Sequence, residues 1–232
     1  MAKVGIVIVS HSDKIATGLV ELAGQMAATT TILGAGGTDD GGIGTSFDKV
    51  TEAIASADSG DGVVILCDLG SAVLTAETAL EFLDDEVRSR VRIADAPLVE
   101  GTVAAAVAAE SGESLAAVFA AAESANSARD AQSAPVPPAA SEAPAAPDSP
   151  VSARAVLVNK DGLHARPAAE FVKLASTFDA RVTVNGVDAK SLLRIMALGL
   201  AIGSEVTIEA TGTDAQKAVD GLNALVLSGF GE

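Results

Sequence analysis

The stretch Val4–Met26, VGIVIVSHSDKIATGLVELAGQM, decides how the front of this chain is read. Val4–Val9 is a continuous apolar run, with none of the alternation a half-wet strand would show. It breaks at Ser10-His11-Ser12, and from Asp13 to Met26 the apolar residues return at helical spacing. A buried strand that feeds straight into a helix opens a parallel α/β sheet. The alternation continues outward from there. Strands are predicted at Thr30–Leu33, Val63–Cys67 and Val91–Ala94, with helices at Ser46–Ala57, Ser71–Leu83, Leu98–Ala109 and near Ser114–Ser124. The expected architecture of the front is α/β, a doubly wound parallel sheet covered on both faces. Ligands of such sheets bind beyond the carboxyl ends of the strands. His11 follows one such end and Asp68 follows another, so the two are expected to meet on one rim.

The back of the chain has a different rhythm. Strands are predicted at Ser152–Val158, Arg181–Val184 and Glu205–Glu209, with a short extra one near Gly186–Lys190. Helices are predicted at Ala165–Ser176, Leu192–Leu200 and Asp214–Leu227. That order fits a C-terminal α+β open-faced sandwich. Between the two lies a tether. Six of the eight prolines fall between Ala131 and Pro150, AQSAPVPPAASEAPAAPDSP, a composition that cannot build a core. The domains are read as 1–128, a linker at 129–150, and 151–232. A linker of this kind reaches roughly 25 Å as a coil and about 60 Å fully extended. It would hold its two heads at an effective concentration on the order of mM.

Charge separates the same units. Residues 1–128 carry 19 acidic and 6 basic side chains, net −13; residues 151–232 carry 9 and 8, net −1. The whole chain stands at −16 with 3% aromatics, which excludes a nucleic-acid binder: there is no basic face and no stacking set. One cysteine, Cys67, excludes an internal disulfide and a cysteine-rich metal site. No signal peptide and no membrane-length apolar stretch is read, so the expected location is the cytoplasm.

The two histidines of the chain, His11 and His164, both stand after a strand and before a helix. Helix starts present unpaired N–H groups and the positive end of a dipole, which suits a phosphoryl group. Imidazole is a nucleophile near neutral pH. At His11 one ring nitrogen must be free to attack and the other must be oriented, a task for a carboxylate, here Asp68. Ser10 and Ser12 flank the histidine as hydrogen-bond donors. Gly70 and Ser71 form a turn whose N–H groups can approach a phosphoryl oxygen, and Ser71 can also cap the next helix. The glycine-rich loop Gly34–Ser46 follows the second strand rather than the first and carries Asp39 and Asp40. It is read as a mobile rim loop ending in a Thr45 or Ser46 cap, not as a nucleotide site.

At His164 the string is Gly162-Leu-His-Ala-Arg-Pro-Ala. Pro167 suits a first helical turn, and Arg166 is the natural partner of a phosphoryl oxygen. Ser191 opens a further helix, where it is read as a cap, with regulatory phosphorylation as the alternative.

These strings carry a resemblance. Leu-His-Ala-Arg-Pro-Ala (163–168), Lys-Ser (190–191) and Gly-x-Glu-Val-x-Ile (203–208) resemble HPr, the histidine phosphocarrier of the phosphoenolpyruvate phosphotransferase system. The resemblance implies phosphorylation of His164 on Nδ1 by enzyme I, assisted by Arg166. The segment after Ser191, Leu-Leu-Arg-Ile, departs from the usual Ile-Met-Gly-Val, so the serine regulation of some relatives is not carried over. Residues 1–128 resemble mannose-type enzyme IIA, through Ile-Val-Ser-His-Ser (8–12), Gly-Gly-Thr-Asp-Asp with Ile-Gly-Thr (36–45), Asp-Leu-Gly-Ser-Ala (68–72), Ala-Glu-Thr-Ala-Leu (76–80) and Ala-Pro-Leu-Val-Glu-Gly-Thr (96–102). Within that group they are most similar to the DhaM family, the phosphotransfer subunits of phosphoenolpyruvate-dependent dihydroxyacetone kinase. The resemblance implies a homodimer through the front domain. It also implies a His11 that takes phosphate from HPr and gives it to ADP on the kinase's nucleotide-binding subunit, the ATP then serving a substrate-binding subunit. A separate enzyme I is expected to charge His164.

The expected function is a phosphohistidine relay from enzyme I through His164 to His11 and on to bound ADP, making the chain a phosphotransferase component. No cofactor and no metal is expected; the phosphoryl group travels as phosphohistidine, held by Arg166 and helix N–H groups. Two alternatives stand beside it. One is a IIA–HPr fusion feeding a mannose-type sugar permease, which Asp-Leu-Gly-Ser-Ala disfavours. The other is a purely regulatory phosphocarrier.

Overall fold

A computed structural model describes residues 3–133, 150–160 and 162–231, with side chains described outside 127–133. The chain forms two compact units, Met1–Asn126 and Ser127–Glu232. The tether from 134 to 149 lies outside the described residues.

The first unit runs β1 (Gly5–Ser10), α1 (Asp13–Gly24), β2 (Ile32–Gly36), α2 (Phe47–Ala57), β3 (Val63–Cys67), α3 (Gly70–Glu81), α4 (Asp85–Arg88), β4 (Val91–Ala94), α5 (Leu98–Glu110) and α6 (Leu115–Ser133). All four strands pair in parallel, in the order β2-β1-β3-β4. β1 and β3 are buried along their whole length, which is why both read as unbroken apolar runs. Two cores result. One packs Ile6, Ile8, Val64 and Leu66 against Leu19 and Ala23 of α1, Ala105 and Ala109 of α5, and Val118 and Ala122 of α6. The other packs Val7, Val9, Val63 and Ile65 against Val50 and Ile54 of α2 and Ala72, Ala76 and Ala79 of α3. The sheet is therefore doubly wound, as its pattern predicts.

The structure departs from expectation in several places. α6 continues to Ser133, past the start of the stretch read as tether. The short α4 was not foreseen; Arg90, two residues past its end, clasps Asp58 at the end of α2, with Nε 2.9 Å from Oδ2 and Nη2 2.7 Å. The rim loop is folded on itself rather than loose. Lys49 donates to the carbonyls of Gly36 and Thr38, each at 2.9 Å, and the Gly44 N–H donates to the His11 carbonyl at 2.9 Å. Ser46, not Thr45, caps α2, accepting from the Lys49 N–H at 3.1 Å. Thr45 instead pairs its hydroxyl with that of Thr75 on α3 at 2.8 Å.

The second unit runs β5 (Val151–Val156), α7 (Ala165–Ser176), β6 (Arg181–Val184), β7 (Val187–Asp188), α8 (Leu192–Ala197), β8 (Glu205–Thr211), α9 (Ala215–Leu227) and a 3-10 turn at Gly229–Gly231. Its sheet is antiparallel in the order β5-β8-β6-β7. Strand residues alternate in burial, with Val182, Val184, Val206, Ile208 and Ala210 inward. Phe171, Val172, Ala175, Val219, Leu222 and Val226 of α7 and α9 are buried as well, so these helices turn an apolar face inward. This is the open-faced sandwich expected from the sequence. Ser191 stands at the N-cap position of α8, but its side chain makes no cap hydrogen bond. The reading of Ser191 as a side-chain cap is corrected: its carbonyl starts the helix, and its hydroxyl does not close it.

Candidate functional site

In the first unit β1 sends the chain to β2 on one side, while β3 lies on its other side, so the strand order, not the strand direction, switches between β1 and β3. The carboxyl ends flanking such a switch point form a natural crevice. His11 leaves β1 there and Asp68 leaves β3 there, with Val9 and Cys67 in register just below. Two packing details set the distance. The Asp68 N–H donates to the Val9 carbonyl at 3.2 Å, and Gly36 lets the start of α1 press against β2, where a Cβ would lie 2.6 Å from the Asp13 Cα.

Asp68 gathers four donors. Oδ1 accepts from the His11 ring at Nδ1 and from the Leu69 N–H, both at 2.8 Å; Oδ2 accepts from the Ser10 hydroxyl and the His11 N–H, both at 2.8 Å. Burial pushes the Asp68 carboxyl up, but the hydrogen bonds from His11, Ser10 and Leu69 outweigh it and hold it below the usual carboxylate range. An ionised Asp68 on Nδ1 fixes the tautomer: Nδ1 carries the proton and Nε2 keeps its lone pair. Nε2 meets the Ser71 hydroxyl at 2.6 Å.

The geometry brings His11, Asp68 and Ser10 together. Ser71 is brought to the site in a different role. It lies inside α3, whose N-cap position is Leu69, and its hydroxyl serves the imidazole rather than the helix. Gly70 opens the same helix. Ser12 occupies the N-cap position of α1 without a side-chain cap bond; its N–H donates to the Ser10 hydroxyl at 3.1 Å. The first N–H groups of α1 and α3 therefore open toward the rim that holds His11. Among the described residues no cluster of three or more His, Cys, Asp and Glu is placed to hold a metal ion.

In the second unit His164 is the N-cap residue of α7; its carbonyl accepts from the Ala168 N–H at 2.9 Å and its N–H donates to the Gly162 carbonyl at 3.0 Å. Pro167 sits in the first turn, as the sequence suggests. Gly162 has φ +68°, and a Cβ there would lie 2.3 Å from the Leu200 carbonyl oxygen, so this position must be glycine. Asn159, almost wholly buried, donates its side-chain amide to the same Gly162 carbonyl and braces the turn; the sequence reading missed it. The His164 Nε2 lies buried. Arg166 is exposed, with its Nε 3.8 Å from Glu170 one helical turn on.

Comparison with known proteins follows this division. Residues 5–119 match the family described as PTS system fructose IIA component, and residues 151–228 match PTS HPr component phosphorylation site. The phosphoryl donor subunit DhaM of the phosphoenolpyruvate-dependent dihydroxyacetone kinase of Escherichia coli (strain K12) is 39% identical over 240 residues, covering 99% of this chain and 51% of that protein. A DhaM protein of Listeria innocua is 48% identical over 105 residues, covering 45% of this chain and 84% of that protein. The chain belongs to the DhaM family. It spans about half the length of the curated DhaM relatives that match it end to end. Among solved structures, a protein of unknown function, EF1359, is 40% identical and superposes with a TM-score of 0.50, covering 53% of this chain and 95% of that one. No helix among the described residues is long and apolar enough to cross a membrane.

Proposed function

We propose that this DhaM-family chain is a double phosphohistidine carrier. Phosphate enters from phosphoenolpyruvate through enzyme I onto His164, passes to His11, and leaves to ADP held by the nucleotide-binding subunit of a dihydroxyacetone kinase. The ATP so formed serves the substrate-binding subunit. The chain is thus a phosphotransferase component that works in the cytoplasm, pairs with a second copy through its first unit, and carries its phosphoryl group as phosphohistidine with no other cofactor.

The observation that carries this reading is the Asp68–His11 pair. With Nδ1–H held by an ionised carboxylate, Nε2 is the nucleophile, and the charge that develops on the ring as the N–P bond forms is matched by Asp68. Ser71, displaced from Nε2 by the incoming group, can donate to a phosphoryl oxygen, together with the first N–H groups of α3. At His164 the buried Nε2 leaves Nδ1 as the acceptor. There the start of α7 supplies backbone donors and Arg166 a mobile cation. Transfer between the two nitrogens needs positioning and charge stabilisation above all. The acidic first unit and Arg166 beside His164 favour docking of one on the other, an attraction that salt should weaken.

The test is labelled phosphoenolpyruvate with enzyme I, the full chain and the two kinase subunits. His164→Ala should block all charging. His11→Ala should leave His164 labelled and stop delivery to ADP. Delivery by His11→Ala, or label passing to a permease IIB protein instead of ADP, would reject the proposed order or acceptor. Label retained on both histidines in the presence of every subunit would favour a regulatory carrier.

A further inference from the structure

We propose that Ser71 is an activated nucleophile and that the first unit can turn over small neutral esters. Asp68, His11 and Ser71 form a continuous chain of contacts: Oδ1 to Nδ1 at 2.8 Å, then Nε2 to Oγ at 2.6 Å. An acid, an imidazole and a hydroxyl in this order, with the acid ionised, are the working parts of a serine acyl-transfer site on any fold. The third member is exposed, on the first turn of a 12-residue helix that leaves strand β3 through the turn Asp68-Leu69-Gly70. The Leu69 carbonyl takes the N–H groups of Ala72 and Val73, so those of Gly70 and Ser71 remain to face a developing oxyanion. A crevice of about 480 Å³ begins at Asp68, Leu69 and Gly70, next in chain to Ser71, and runs on past Val73 and Ile93, with Glu77 and Asp95 at its wall. Val73 and Ile93 offer contact to a short acyl chain, and the carboxylates disfavour an anionic one.

The reaction consumes only the ester and water. The Ser71 Oγ forms a bond to the ester carbonyl carbon and gives its proton to His11 Nε2. The bond to the leaving oxygen then breaks as that proton passes to it. Water attacks the acyl-serine, losing its proton to Nε2, and Oγ recovers a proton from the ring. Phosphorylation of Nε2 removes the base, so the two chemistries exclude each other.

The experiment incubates the full chain with 4-nitrophenyl acetate, follows nitrophenolate release, and maps the acetyl group by mass spectrometry. Acetyl on Ser71 is expected. Ser71→Ala should lose that label, and His11→Gln and Asp68→Asn should slow its formation roughly 100-fold, with circular dichroism showing each variant still folded at the assay temperature. Prior phosphorylation of His11 should suppress it, and 4-nitrophenyl succinate should react more slowly than the acetate. An unmodified Ser71, acetyl found on His11 instead, or a labelling rate indifferent to His11→Gln would overturn the proposal. The acetylation itself needs no phosphoryl donor, so an unlabelled Ser71 leaves the relay untouched.

Discussion

His11 and His164 occupy equivalent places in two different folds, after a strand and before a helix, yet they are held by opposite means. In the parallel sheet a side chain 57 positions away grips Nδ1, and the strand order brings it there. In the antiparallel sandwich the grip is local: Gly162 and Ala168 bond the His164 backbone, and Asn159 braces the Gly162 turn. On the proposed relay, a helix start would make the place for phosphate, and what holds the far nitrogen would choose which atom reacts. Phosphorus NMR of the charged chain should accordingly show two kinds of phosphohistidine, Nε2 on residue 11 and Nδ1 on residue 164. One common kind would break the comparison.

The largest effect is expected from Asp68→Asn, which removes the ion that fixes the His11 tautomer. Transfer from His11 should fall roughly 1,000-fold while charging of His164 is unchanged. Because hydrogen bonds hold Asp68 below the usual carboxylate range, its grip should persist as pH falls past about 3.9 and fail only lower. Next comes Gly162→Ala. A Cβ against the Leu200 carbonyl at a positive φ should cost the second unit about 3 kcal/mol in denaturant unfolding, and the first unit nothing.

The first unit has its own test at Glu110. This buried carboxylate at the end of α5 accepts from Lys3 at 2.8 Å and from the Thr30 hydroxyl at 2.9 Å, with Thr29 beside them. Burial opposes ionisation, but these donors prevail and draw the pKa down to about 2. A depressed acid stabilises the fold above its unfolded pKa. The contribution, on the order of 2 kcal/mol, should therefore be full at neutral pH and fade as pH drops from about 4.3 toward 2. Glu110→Gln should lose it at pH 7 and match the parent near pH 2. The smallest effect separates two serines that look alike in sequence. Ser46→Ala should cost about 1 kcal/mol, and Ser191→Ala within about 0.5 kcal/mol, since only Ser46 caps with its side chain.

Local pattern made much of this visible. β3, β4, β6 and α7 occupy the ranges their periodicity predicts, and His11 and Asp68 meet because both follow buried strands of one parallel sheet. The features that stayed hidden are non-local. Nothing around Ser71 says that its hydroxyl points at an imidazole rather than at its own helix. Lys49 as a strut for the rim loop, Glu110 as a knot joining the N-terminus, the α1–β2 turn and α5, and Asn159 beneath the His164 turn depend on which elements fold side by side.

Cys67 ends β3 beneath this site, buried, and burial followed by the neighbouring Asp68 and Glu77 pushes its thiol up to about 12. A thiol so rarely deprotonated reacts slowly with maleimides and peroxide at neutral pH. The one sulfhydryl is therefore expected to label slowly. A cysteine engineered onto the surface of each unit would take fluorophores selectively, without first removing the native one, and the distance between the two heads could be followed in real time as phosphate moves.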